Sequence, residues 1–153
     1  MSVGNFSWVI PGKLAGCSLP YFGSGDGNDA AWFAGQGVGM LVSFVKPDGD
    51  PAGECSRNGI EWVYYPIIDY GVPSDEEAFG ELIDKALSAI AEGRGVCFHC
   101  YAGIGRTGMA LACTLGKHLS IGADQAIAAV RKCRASIESQ SQEDFTRRFL
   151  DGV

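Results

Sequence analysis

Residues 95–119 read GVCFH, then CYAGIGRTG, then MALACTLGKHL. The first five form a short, almost wholly apolar run, the pattern of a strand buried on both faces. The middle stretch carries three glycines, Gly103, Gly105 and Gly108, and reads as a tight turn. Small and apolar residues then continue at helical spacing from about Arg106 to Leu119. A strand that turns sharply into a helix is the repeating unit of α/β domains, and ligands in such domains sit outside the carboxyl ends of the strands.

The flanking segments fit the same architecture. FSWVI (6–10) and KLAGC (13–17) flank a Pro-Gly turn and read as two short strands. Asn28 to Gly35 is a short helix candidate, capped by Asn28 or Asp29. VGMLVSFV (38–45) is an apolar run expected as a buried strand, and IEWVYYPII (60–68) is a second β-rich run. Between them, Lys46 to Asn58 carries two prolines and two glycines and is expected as a polar turn segment. Ser74 and Glu77 have capping-box spacing, and Phe79, Leu82, Ile83, Ala86, Leu87 and Ile90 follow at helical period. Asp124 is expected to cap a helix to about Cys133, and Ser139 or Ser141 to open a last one to about Leu150. The expected fold is α/β, a central, mainly parallel, twisted sheet flanked by helices, in one domain over residues 1–153.

A chain of 153 residues can bury a core without staples. Its net charge of −6 argues against a general nucleic-acid or anionic-membrane surface. The first residues, MSVGNFSWVIPGKLAG, lack the charged and apolar regions of a signal peptide, and no apolar stretch is long enough to span a bilayer. Six cysteines (17, 55, 97, 100, 113 and 133) are therefore expected as reduced thiols in a cytoplasmic or nuclear protein.

The chemistry concentrates in His99 to Gly108. Cys100 and Arg106 are separated by five residues, within a loop between strand and helix. Such a loop turns successive backbone N–H groups inward and aims a helix N-terminus at the same point. Three terminal oxygens of a phosphate match the N–H groups of Tyr101, Ala102, Gly103, Ile104 and Gly105 together with a bidentate Arg106. The same field favours a thiolate, so Cys100 is expected to be ionised and nucleophilic at neutral pH. Thr107 can donate its hydroxyl to the departing sulfur, and His99 is expected to hold the loop by hydrogen bonding.

HCYAGIGRTG resembles the signature loop of cysteine-based protein tyrosine and dual-specificity phosphatases. NFSWVIPGKLAG near the start, the Asp69 segment, and SIES followed by QED near the end resemble the small atypical dual-specificity phosphatases. The likeness covers nearly the whole chain. It implies a cysteine-phosphatase fold, Cys100 as nucleophile, Arg106 as phosphate clamp and Asp69 as general acid; the two-step chemistry requires no metal or cofactor, and the sequence shows no metal-ligand cluster. It implies phosphotyrosine, with phosphoserine or phosphothreonine, on a protein or peptide as the substrate of a monomeric enzyme.

Asp69 also stands on chemistry. A phosphoester leaving group needs a proton, and the Cys100 loop has no acidic residue to supply it. IIDYGVPS follows an apolar strand and precedes the helix that leads into the Cys100 strand, so Asp69 is expected at the same rim. The family's acid is often followed more closely by Pro, which Asp69 is not. Glu138, between two helices, is a second candidate acid, and Gln142 could position the hydrolytic water.

Other readings compete. Cys97-Phe98-His99-Cys100 is formally C-x-x-C, but along a strand its Cα atoms stand about 10 Å apart, beyond the ~7 Å a disulfide allows. Gly103-x-Gly105-x-x-Gly108 matches a dinucleotide fingerprint, yet Asp124 does not end a second strand as that motif requires. A phosphoinositide or RNA 5′-phosphate substrate is an alternative; the loop lacks lysines, and the acidic chain disfavours RNA. A binding module without turnover is the non-enzymatic alternative, opposed by the intact Cys100, Arg106 and Thr107.

Overall fold

The structure, a computed structural model, describes residues 3–24 and 28–152. Among these residues, five strands form one sheet: β1 (Ser7–Ile10), β2 (Leu14–Cys17), β3 (Val38–Ser43), β4 (Glu61–Tyr64) and β5 (Gly95–His99). Their spatial order is β1-β2-β5-β3-β4. Only β1 runs antiparallel, joined to β2 by a hairpin through Pro11 and Gly12, whose φ of +72° suits glycine. The other neighbours are parallel, so the ends of β2, β3, β4 and β5 open on one face of the domain.

Side-chain alternation along the strands builds two cores. Val96 and Phe98 of β5, with Met40 and Val42 of β3, join Phe79, Ile83, Met109, Leu111, Ile127 and Phe145 on one side. That side is covered by α3 (Glu76–Ala91), α4 (Gly105–Leu119), α5 (Ala123–Cys133) and α6 (Gln140–Asp151). Cys97 and Leu41 face the other way, onto Phe22, Phe33 and Cys55 beneath α1 (Ala30–Gly35) and α2 (Pro51–Arg57). Helix α4 is buried from Gly105 through Gly116. Gly108 makes this possible: a Cβ there would lie 2.7 Å from the Ile137 backbone nitrogen.

Several expectations need correction. The Lys46–Asn58 segment is not all turn; it contains α2, with Pro51 in its first turn, where a missing N–H costs nothing, and Asp50 accepting from Gly53 N. The cap of α3 is Asp75, whose carboxylate accepts from Ala78 N, rather than Ser74. Gly122 precedes α5, and Asp124 lies in its first turn. Strand β4 ends at Tyr64 because Pro66 has no N–H to give the ladder. Ser139 caps α6, accepting from Gln142 N. Among the described residues, no helix is long and apolar enough to cross a membrane.

Candidate active site

Strand β5 is central, so Cys100 emerges between the ends of β2 and β3. The loop from Cys100 to Ile104 is held from outside by its carbonyls. The Cys100 carbonyl accepts from His99 Nδ1 (3.0 Å), that of Tyr101 from Leu19 N (2.9 Å) and that of Ala102 from Asn5 Nδ2 (3.0 Å). The Gly103 carbonyl accepts from Arg134 Nη2 (2.7 Å), and that of Ile104 from Ile137 N and Gly108 N (2.9 Å each). The peptides are trans, so each outward carbonyl sends the next residue's N–H inward. The N–H groups of Tyr101 to Gly105 are thereby turned to the concave side, at the start of α4, where the helix dipole adds positive potential. Gly103 has φ +77°, and a Cβ there would lie 2.5 Å from the Cys17 carbonyl oxygen, so this position demands glycine.

The Cys100 sulfur is nearly buried and accepts from the Thr107 hydroxyl at 3.1 Å. Below the loop, His99 is fully buried. Its Nδ1–H donates to the Cys100 carbonyl, which leaves Nε2 to accept from the Ser43 hydroxyl at 2.5 Å. Ser43 in turn accepts from Trp62 Nε1 at 2.8 Å. Burial, with the nearby Arg106 charge, brings the His99 pKa down to about 4, against the weaker opposing effect of its bond to Cys100. His99 is thus a neutral, fixed strut.

Arg106 is buried at the start of α4. Its Nη1 donates to the Ile67 carbonyl (2.9 Å), Nη2 lies 3.3 Å from Asp69 Oδ1, and Nε is buried without a partner among the described residues. The guanidinium thus brings the IIDYG segment over the loop and retains an unused donor for an oxyanion. Asp69 is more than half exposed, and its carboxylate also accepts from Tyr70 N. The next residue, Tyr70, has φ +61°, and its carbonyl accepts from the Ser139 hydroxyl, tying this segment to α6.

Glu138 and Gln142 reach the same place. A Cβ on Gly105 would meet Glu138 Oε1 at 2.6 Å and Gln142 Oε1 at 3.0 Å. Gln142 is fully buried; it accepts from Glu138 N (2.9 Å) and donates to the Gly71 carbonyl (3.2 Å). Cys100, Arg106, Asp69, Glu138 and Gln142 therefore gather around one loop, with Thr107 and His99 buried behind it and Tyr101 exposed at its edge.

Three contributors escaped the sequence reading: Asn5, Leu19 and Arg134. Arg134 is buried and spends Nη1 on the Gly16 carbonyl (2.6 Å) and the Ser7 hydroxyl (2.9 Å) besides its bond to Gly103. Gly16 leaves room for it, since a Cβ there would stand 3.1 Å from Arg134 Cζ. Nearby, the Cys17 and Cys97 thiols lie 3.6 Å apart across β2 and β5, and burial pushes the Cys17 pKa well up, with Cys97 adding to it. All six cysteines are free.

The family "Polymorphic toxin system, DSP-PTPase phosphatase" matches residues 15–119, which hold most of β2, all of β3, β4 and β5, the loop and α4. The chain belongs to this phosphatase family. A similar protein, the tyrosine-protein phosphatase cdc-14 of Caenorhabditis elegans, is 30% identical over 142 residues, covering 86% of this chain but 19% of that protein. The chain spans 60% of the length of another relative, the uncharacterized protein MJECL20 of Methanocaldococcus jannaschii, at 34% identity over 93 residues and 60% of this chain. The crystal structure of Tk-PTP in its active form superposes with a TM-score of 0.82 at 22% identity, covering 97% of both chains, a likeness of fold. PTPMT1 in complex with PI(5)P shares the fold equally well, with a TM-score of 0.82 at 20% identity over 96% of this chain and 95% of that one.

Proposed function

We propose that this chain is a single catalytic domain hydrolysing phosphotyrosine, with phosphoserine and phosphothreonine as further substrates, on protein or peptide, through a phosphocysteine intermediate. The observation that carries this reading is the outward bonding of five consecutive loop carbonyls around Cys100, which turns five N–H groups onto the place a phosphate would occupy. The Cys100 sulfur attacks phosphorus in line and the P–O bond to the leaving group breaks. The loop N–H groups and Arg106 hold the equatorial oxygens as charge shifts between them. Arg106 exchanges its Asp69 contact for the phosphate, and Asp69, freed of that pair, protonates the leaving oxygen. Water then attacks phosphorus, Asp69 takes its proton, and the Thr107 hydroxyl stabilises the departing thiolate. Glu138 is the alternative acid, and Gln142, held by Glu138 N and Gly71 O, can orient the water.

This chemistry calls for no metal or cofactor, and the domain acts as a monomer in the reducing cytoplasm or nucleus, where its free thiols persist. The test is release of phosphate from an aryl phosphate in EDTA. Wild type is expected to turn over with a burst of trapped phosphocysteine, and Cys100→Ser to be inert. Full activity in Cys100→Ser would overturn the mechanism, and phosphate binding without turnover in wild type would favour a binding module. The fold shared with PTPMT1 keeps a phosphoinositide as the second substrate reading.

A further inference from the structure

The large apolar side chains left in solvent are not scattered. Tyr21, Tyr64, Ile68, Tyr70, Tyr101 and Leu119 are the exposed ones among the described residues. All but Leu119 lie at the carboxyl ends of the parallel strands, the face on which Cys100 opens. Ile68 and Tyr70, 85% and 58% exposed, flank Asp69 directly, and Tyr101, 68% exposed, follows Cys100. Exposed apolar surface concentrated in one place marks a docking surface rather than chance.

The three innermost side chains are on fixed backbone. Arg106 holds the Ile67 carbonyl, Ser139 holds the Tyr70 carbonyl, and Leu19 N holds that of Tyr101. They therefore present a preformed apolar collar beside Cys100 and Asp69, and little ordering is needed when it is covered. Charge narrows the occupant. Among the described residues of the loops after β2, β3 and β4, the only Lys or Arg is Lys46, against Asp29, Asp48, Asp50, Asp69 and Asp75. A polyanion such as an inositol headgroup or an RNA end meets an acidic, apolar rim and gains nothing outside the loop itself.

We infer that Ile68, Tyr70 and Tyr101 are specificity-determining contacts that select a phosphotyrosyl polypeptide with bulky apolar side chains, and few acidic ones, beside the phosphotyrosine. This rests on the proposed phosphatase activity and names the substrate within it. The phosphotyrosine ring passes between the collar side chains to bring phosphorus to Cys100. The neighbouring apolar side chains cover Ile68 and Tyr70 and remove them from water.

The experiment compares kcat/KM on phosphotyrosyl peptides flanked by Leu, Ser or Glu with that on an aryl phosphate, for wild type, Ile68→Ser and Tyr70→Asn. It adds phosphatidylinositol-monophosphate vesicles and a 5′-phosphorylated RNA. Wild type is expected to favour Leu-flanked over Ser-flanked peptides by about tenfold, equivalent to ~1.4 kcal/mol, with Glu-flanked peptides slowest. Each variant is expected to lose most of that preference when normalised to its own aryl phosphate rate. Equal rates on the three peptides, a preference surviving in both variants, or faster turnover of vesicles or RNA than of any peptide would overturn the inference while leaving the phosphatase reading intact. Absence of turnover on the aryl phosphate as well would overturn both.

Discussion

Replacing Arg134 by Met tests whether the loop is held from behind. The substitution keeps a long apolar stem but removes every donor, leaving the Gly103 and Gly16 carbonyls and the Ser7 hydroxyl without their partner, at present 2.7, 2.6 and 2.9 Å away. The two buried carbonyls stranded in this way cost about 1–3 kcal/mol each, and the half-buried Ser7 hydroxyl less, since water can reach it. Part of that loss is offset because the guanidinium is itself buried, its pKa drawn down chiefly by desolvation. The net expectation is a destabilisation of about 2–5 kcal/mol, smaller than the total stability of roughly 5–15 kcal/mol usual for a domain, so the variant folds. Catalysis suffers separately. Without Arg134 the peptide between Gly103 and Ile104 is free to turn, and loss of one inward N–H reduces kcat by about 10²–10³. Arg134→Lys restores a donor but not the fork, and is expected to recover part of both quantities. Urea unfolding followed by circular dichroism gives the first quantity, and aryl phosphate kinetics the second. An Arg134→Met protein within about 1 kcal/mol of wild type, with kcat unchanged, would refute the reasoning, since the bonds would then be worth no more than exposed ones.

Three further outcomes are expected. Asp69→Asn should reduce kcat most for poor leaving groups and little for an activated aryl phosphate; if Glu138→Gln shows that pattern instead, the acid assignment passes to Glu138. His99, with a pKa drawn down to about 4, stays neutral in the folded protein while the unfolded chain takes up a proton below about 6.5. Its contribution is therefore fully present above that value and falls by up to about 3 kcal/mol between pH 6.5 and 4. Urea midpoints for wild type and His99→Asn at pH 7 and pH 4.5 read this, and an equal pH dependence in both proteins would contradict it. Gly103→Ala combines a φ of +77° with a Cβ 2.5 Å from the Cys17 carbonyl oxygen, and should cost at least ~2 kcal/mol with loss of turnover, checked by thermal melting and the same assay.

What could be read from the chain follows the range of the interactions. Strand β5 and the start of α6 were legible because local signals govern them: an apolar run behind Gly95, and a serine cap at Ser139. The Cys100 loop was legible because its chemistry is packed into ten residues. Helix α2 was hidden by glycines and prolines that elsewhere make turns, although Asp50 followed by Pro51 is also a helix start. Arg134 and Asn5 were invisible because they hold loop carbonyls from 31 and 97 residues away, and no spacing rule links them to the loop. The neighbouring thiols of Cys17 and Cys97 escaped for the same reason: only the order of the strands brings them together.

The position of β5 between β2 and β3 also governs how the protein can come into being. Leu14 pairs with Val96 and Val38 with Gly95, so the hairpin of β1 and β2 and the pair of β3 and β4 have no shared neighbour until β5 has left the ribosome. Until then each half carries an open, apolar edge, the state in which a growing chain most needs shielding from its neighbours. The strand that joins the halves is the one that ends at Cys100. Insertion of that strand closes the sheet and delivers the thiol in the same event, so a nascent or truncated chain lacking it has no assembled loop with which to act.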